Sequence, residues 1–169
     1  VYSTAVSLLP GGRGDGQPIT TLIELEAGTQ PAHYFAGHAA QTLLLAGNAG
    51  YGLLARVGDL TARQRSGKAF LTLEAGEQLL PPALASAGML GDQVGCLSSQ
   101  GRLLVFPLSE LKVQPNGGRG LTLMDLEPRD TLASVAVFAQ ALRIEGTGRG
   151  GKARDEVLMV SGFTDDRPV

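Results

Sequence analysis

The residues best suited to chemistry in this chain sit in short, basic, glycine-bearing loops. Arg63-Gln64-Arg65-Ser66-Gly67-Lys68-Ala69 and Gln114-Pro115-Asn116-Gly117-Gly118-Arg119-Gly120 each set a cation beside glycine. Gly12-Arg13-Gly14-Asp15-Gly16 upstream and Gly146-Thr147-Gly148-Arg149-Gly150-Gly151-Lys152 downstream have the same character. Glycine admits positive φ and close approach, so backbone N–H groups can turn toward an anion while Arg or Lys supplies charge. The chemistry is phosphate recognition, and such contacts hold a nucleic-acid backbone without reading its sequence. One copy would be no more than a tight turn. Repetition at a fixed spacing makes it a candidate site.

Other chemistries fit less well. Gly146 to Ala153 falls one residue short of the nucleotide-binding loop G-x-x-x-x-G-K-[ST], because Ala153 has no hydroxyl to ligate Mg²⁺. His33 and His38 lie five apart with no cysteine near, and an extended chain sends them to opposite faces, so a metal pair is not expected. No spacing of Ser, His and Asp supports a triad, and no cofactor is implied. Arg13-Gly14-Asp15 matches the integrin-binding tripeptide, but it occupies the loop position of a repeat.

The elements that must position these loops repeat along the chain. Gly50 to Leu60 matches Gly101 to Leu111 at an offset of 51 residues, and in the same register Ser66-Gly67-Lys68-Ala69 matches Gly117-Gly118-Arg119-Gly120. A period near 50 with no helical pattern inside it marks propeller-like blades, each a small sheet that needs neighbours to bury its faces. Apolar runs such as Leu43-Leu44-Leu45 and Leu53-Leu54 are short and bounded by turn residues, as strands are, and 24 Gly and 9 Pro leave little room for long helices. The expected fold is therefore all-β: a single domain, 1–169, of four-stranded blades, one partial and about three further. Approximate boundaries are 1–40 for the partial blade, then 41–92, 93–140 and 141–169. The chain opens inside a blade and lacks an initiator Met, as expected of a piece of a longer protein.

Charge is distributed unevenly. The net charge is -2, from 14 Lys and Arg against 16 Asp and Glu. Yet Leu54 to Phe70 carries Arg56, Arg63, Arg65 and Lys68 against Asp59; Arg102 to Gly120 carries Arg102, Lys112 and Arg119 against Glu110; Arg143 to Arg154 carries four cations against Glu145. If each loop lies at the same point of its blade, the cations gather along one edge. Cys96, the single cysteine, falls in an expected strand as a buried thiol, which favours a reducing, cytoplasmic home. No apolar run approaches the ~18 residues of a membrane span.

The loops resemble degenerate copies of the gyrase A box, Q-R-R-G-G-K-G. Arg63 to Ala69 agrees at Arg65, Gly67 and Lys68, and Gln114 to Gly120 agrees at Gln114, Gly117, Gly118 and Gly120, with Arg119 in place of Lys. Asn48-Ala49-Gly50-Tyr51-Gly52, Asp59-Leu60, Leu80-Pro81-Pro82 and Gly101-Arg102-Leu103-Leu104-Val105-Phe106-Pro107 resemble the family of C-terminal domains from the A subunit of bacterial topoisomerase IV, over roughly residues 1–145. The resemblance implies a β-pinwheel whose blades exchange strands and bind double-stranded DNA along the rim, without sequence preference. It also implies that catalysis lies elsewhere, in an N-terminal region with its own tyrosine working beside an ATPase subunit, and that the domain holds and bends DNA at the nucleoid. Arg56, Arg63, Arg65, Lys68, Arg102, Lys112 and Arg119 are the phosphate-contact candidates, followed by Arg13, Arg149, Lys152 and Arg154. The competing reading is a propeller-like module that docks a protein partner, such as a chromosome-organising protein; the low total charge favours it.

Overall fold

A computed structural model of the chain describes residues 1–85 and 92–162. The first hairpin joins β1 (Thr42–Ala46) to β2 (Tyr51–Arg56), with Leu44 opposite Leu54. β3 (Ala83–Ala85) pairs with the free side of β1, giving three consecutive strands of one sheet. A second hairpin joins β4 (Gln93–Ser98) to β5 (Leu103–Pro107). The chain then returns to the first sheet, where β6 (Leu121–Thr122) pairs with Tyr51 and Gly52 of β2. β7 (Leu132–Phe138) comes back to pair with β4, and β8 (Ala141–Thr147) with β9 (Ala153–Met159) forms a third hairpin. All strand pairs are antiparallel, in sheets ordered β3-β1-β2-β6, β5-β4-β7 and β8-β9.

The composition of β1 follows from burial on both faces. Alternate side chains of a strand point to opposite sides. Leu44 and Ala46 enter a core shared with Val94, Cys96, Leu123 and Leu132, while Leu43 and Leu45 pack with Leu53, Ala55 and Phe70. With no face in water, the strand shows a continuous apolar run instead of polar alternation. Each fully buried leucine contributes about 1.5–3 kcal/mol, so these runs hold the hairpins in register.

Hydrogen bonds repeat at the sequence offset. Gly47 N–H donates to the Tyr51 carbonyl and Ser98 N–H to that of Arg102, both at 2.9 Å. Gly50 and Gly101 close the two turns with φ of 88° and 83°. Val57 N–H reaches the Gln41 carbonyl, Leu108 N–H that of Asp92, and Val160 N–H that of Gln140, at 2.8, 2.9 and 2.8 Å. Each of these bonds opens a single 3₁₀ turn, at Val57–Leu60, Leu108–Glu110 and Val160–Gly162. Three hairpin units are therefore equivalent.

Three observations bear on the expected blades. Segment 1–40, expected as a partial blade, contains no strand; it holds 3₁₀ turns at Val6–Leu8 and Ile19–Thr21 and drapes over the first basic loop. Its polar groups are satisfied there: the Ser3 hydroxyl donates to the Ala62 carbonyl, and Glu24 N–H donates to that of Arg65. Next, β6 lies within the stretch assigned to the blade 93–140 but completes the first sheet, so blade membership is not contiguous in sequence. Finally, only the first sheet has four strands among the described residues; the second has three and the third two. Residues 163–169, expected in the last blade, lie outside the described residues.

Candidate nucleic-acid interface

The first basic loop presents exposed cations that meet carbonyl oxygens and an aromatic ring but, among the described residues, no carboxylate. Arg65 Nη2 donates to the carbonyls of Thr21 at 2.8 Å and Thr20 at 3.3 Å. Lys68 Nζ donates to the Asp59 carbonyl and lies 5.6 Å from the centre of the Phe70 ring. Arg56 at the end of β2 and Arg63 in the loop are exposed. Among the described residues none of these four forms an ion pair. Carbonyl bonds orient a cation without cancelling its charge, so this loop keeps its positive potential.

The second loop is built from the same residue types and is neutralised. Arg119 grips Glu77 with both terminal nitrogens, at 2.7 and 3.2 Å, and reaches Glu74 at 3.3 Å. Its guanidinium also lies 4.2 Å from the centre of the Tyr51 ring. The Arg119 hydrogen bond, with one from the Glu74 N–H, holds the Glu77 carboxyl below the usual glutamate range. Arg119 is thus a fastener between units, held by Glu77 and Glu74 and not presented as a free cation. Nearby, Lys112 is exposed without an ion pair, and Arg102 lies 3.8 Å from Glu127.

The glycines serve packing. Gly118 N–H donates to the Phe70 carbonyl at 2.7 Å and the Gly118 carbonyl accepts Thr72 N–H in return, while Gly117 N–H closes on Gln114. In the first loop, Gly67 N–H closes on Gln64 and Lys68 N–H donates to Val1. These N–H groups, expected to face phosphate, are consumed inside the protein. A side chain at Gly117 would collide with the Phe70 backbone, and one at Gly120 with the Gly52 carbonyl. The glycines allow one unit's loop to lie against the preceding unit.

The downstream glycine loop is a different element. Gly148 to Lys152 forms the turn between β8 and β9, closed by Gly148 N–H on the Lys152 carbonyl at 2.8 Å. It corresponds to the hairpin turns at Gly47–Gly50 and Ser98–Gly101, so Arg149 and Lys152 stand away from the position of the other basic loops. The Arg154 side chain lies against Gly148. Arg143, with Asp155 at 2.6 Å and Glu145 at 3.0 Å, is neutralised. Arg13 lies in an exposed loop. His33 Nε2 lies 2.9 Å from the Leu79 carbonyl, as an ordinary hydrogen-bonded histidine does.

An acidic turn, missed from sequence, organises the site. Leu25-Glu26-Ala27-Gly28-Thr29, Leu73-Glu74-Ala75-Gly76-Glu77 and Leu126-Glu127-Pro128-Arg129-Asp130 are three copies. Each is closed by the N–H of its last residue on the glutamate carbonyl, at 3.1, 3.0 and 2.9 Å. Each has positive φ at its fourth residue: 81° at Gly28, 85° at Gly76 and 71° at Arg129. Arg129 in place of glycine hid the match. In the third copy Asp130 accepts bonds from the Ser99 hydroxyl, Gln100 N–H and Thr131 N–H. Burial raises the Asp130 pKa, but hydrogen bonds from Ser98, Ser99, Thr131 and Gln100 outweigh it and leave it below the usual aspartate range.

Hairpin sheets repeated about a shared core, with β6 exchanged between units, define a propeller-type repeat domain. The family model described as DNA gyrase C-terminal domain, beta-propeller, matches residues 41–84 and 92–139, more than half of the chain, and the chain belongs to that family. The A subunit of DNA topoisomerase 4 from Neisseria gonorrhoeae is 36% identical over 164 residues, which cover 95% of this chain and 21% of that protein. The solved C-terminal domain of E. coli ParC superimposes with a TM-score of 0.81 at 30% identity, covering 95% of this chain and 65% of that one. A DNA gyrase A C-terminal domain, at 18% identity and a TM-score of 0.67 over 82% of this chain and 46% of that one, shares the fold. The chain thus spans about a fifth of the length of its curated topoisomerase relative. Among the described residues no helix is long and apolar enough to cross a membrane.

Proposed function

We propose that this chain is the non-catalytic, DNA-binding and DNA-bending domain of a type IIA topoisomerase, as part of the A subunit of a topoisomerase IV. It holds double-stranded DNA by its phosphates beside the strand-passing core and so biases which crossings are resolved in decatenation and relaxation. Its partners are the N-terminal catalytic region of the same polypeptide and the enzyme's ATPase subunit. Its place of work is the cytoplasmic nucleoid, and no cofactor acts within the domain. The carrying observation is the group Arg56, Arg63, Arg65 and Lys68, exposed and without carboxylate partners beside a second loop whose Arg119 is neutralised. Arg102 and Lys112 extend the surface, and Arg13, Arg149, Lys152 and Arg154 contribute at its margins. Arg119 joins only when its carboxylates release it.

The test is DNA affinity across salt concentrations for Arg56→Ala with Arg63→Ala, two side chains with no bonding role in the fold. Loss of two phosphate contacts lowers the slope of log affinity against log salt by nearly ~2 units, at about 0.9 per contact, equally for unrelated sequences. An unchanged slope in the folded variant would shift the function to the competing one, docking of a chromosome-organising protein on the rim.

A further inference from the structure

The third hairpin reaches beyond its counterparts. Its base is anchored as theirs are, by Val160 N–H on the Gln140 carbonyl where the others have Val57 on Gln41 and Leu108 on Asp92. From that common base β1–β2 and β4–β5 run for five residue pairs each, and β8–β9 runs for seven. Two more pairs carry its turn about 7 Å further out. The first two turns are covered by later chain: Asn48 N–H donates to the Gln78 carbonyl and Ser99 N–H to that of Thr131, at 2.9 and 2.8 Å. Among the described residues the third turn bonds only within itself, Gly148 N–H to the Lys152 carbonyl and Gly151 N–H to that of Gly148.

Residues 146–154, which form this projecting tip, include Arg149, Lys152 and Arg154 and no acid. Lys152 and Arg154 are exposed and, among the described residues, in no ion pair. The carboxylates at the base of the tip, Glu145 and Asp155, are held by Arg143. Gly146 lies in β8 opposite Arg154, outside the left-handed region, and a Cβ there would meet nothing within 4 Å. Glycine weakens a strand, and inside one it marks the close approach of a ligand or another backbone. At Gly117 and Gly120 the approaching backbone belongs to the protein; at Gly146, among the described residues, no protein group approaches.

We propose that the β8–β9 tip is a basic β-ribbon that enters the major groove of double-stranded DNA, with Lys152 and Arg154 on the flanking phosphates. The major groove, about 12 Å wide, admits a two-stranded ribbon. The undistorted minor groove, about 6 Å wide, is a poor fit for two strands about 4.8 Å apart with their side chains. Gly146, Thr147, Gly148 and Ala153 keep the ribbon thin. The inference rests on the DNA-binding reading and adds to it a groove contact that phosphate-facing cations do not make.

Gly146→Val tests the fit without touching charge. Valine suits a strand and meets no neighbour there, so the variant unfolds at the temperature of the unaltered chain or higher. Its affinity for a mixed-sequence duplex falls about tenfold with the salt slope unchanged. Lys152→Ala with Arg154→Ala instead lowers the slope of log affinity against log salt by about 1.8, at about 0.9 per contact. Dimethyl sulfate reports the groove, because it methylates guanine N7 in the major groove and adenine N3 in the minor groove. The unaltered chain protects guanine N7, and Gly146→Val loses that protection. Full affinity in Gly146→Val, an unchanged slope in the double variant, or guanine N7 left open on a bound duplex would each overturn the proposal and leave the reading based on Arg56 and Arg63 standing. No duplex binding by the unaltered chain would remove both.

Discussion

Gly120 and Gly101 have nearly the same backbone, φ 84° and 83°, in different surroundings. Around Gly101 there is open space, whereas a Cβ at Gly120 would meet the Gly52 carbonyl of β2. Gly101→Ala therefore costs the left-handed penalty alone, about 1 kcal/mol, while Gly120→Ala adds displacement of β6 and is expected to cost clearly more. Urea midpoints of the two variants check this; equal losses would show that the close approach at Gly120 does not matter. Glu77 gives a pH signature. Its folded pKa is depressed from the ordinary 4.5 by Arg119, so the stability it contributes is fully present above that value and is lost as pH falls through the lower folded value. Glu77→Gln removes this component, and the variant should lose stability less steeply below pH 4.5 in acid titrations followed by circular dichroism.

At the scale of elements, the acidic turn decides whether a basic loop is available. The loop at Gln114–Gly120 and the loop at Arg63–Ala69 are built alike, yet only the first of these meets Glu74 and Glu77. Glu74→Ala with Glu77→Ala should release Arg119, and a freed arginine that finds a phosphate steepens the salt dependence of DNA binding by about 0.9. The same variant should unfold more easily, since the fastener between β6 and the turn at Glu74–Glu77 is gone. A slope equal to that of the unaltered protein, in a folded sample, would place Arg119 beyond reach of DNA.

For the whole molecule, the exchange of β6 makes the units interdependent. Dividing the chain between β3 and β4 removes β6 from the first sheet, and takes Val94, Cys96 and Leu132 from the core that Leu44 and Leu54 share with them. Neither half is expected to unfold cooperatively by itself, because each blade buries its faces on a neighbour. Thermal unfolding of the separate halves is the measurement; two transitions that together reproduce the intact chain would show independent domains. Cys96 belongs to this core, and burial pushes its thiol up to about 11, which makes it unreactive near neutral pH.

The sequence by itself determined the period, the hairpins and the all-β class: short apolar runs bounded by turn residues are local signals, and the 51-residue offset is carried by residue identities alone. Leu43 to Leu45, Gly50 and Gly101 stand where that pattern put them. Only the tertiary structure decided which glycine loops keep their charge. Arg119 and Lys68 are interchangeable in a motif, but Glu74 and Glu77 lie more than forty residues before Arg119, and nothing local reports that they meet it. The loop at Gly148–Lys152 likewise reads as another basic box until its place between β8 and β9 shows it to be a hairpin turn. Strand exchange has the same cause: β6 is two residues long, too short for any periodicity, and it belongs to the first sheet only because Gly52 and Gly120 let two backbones approach.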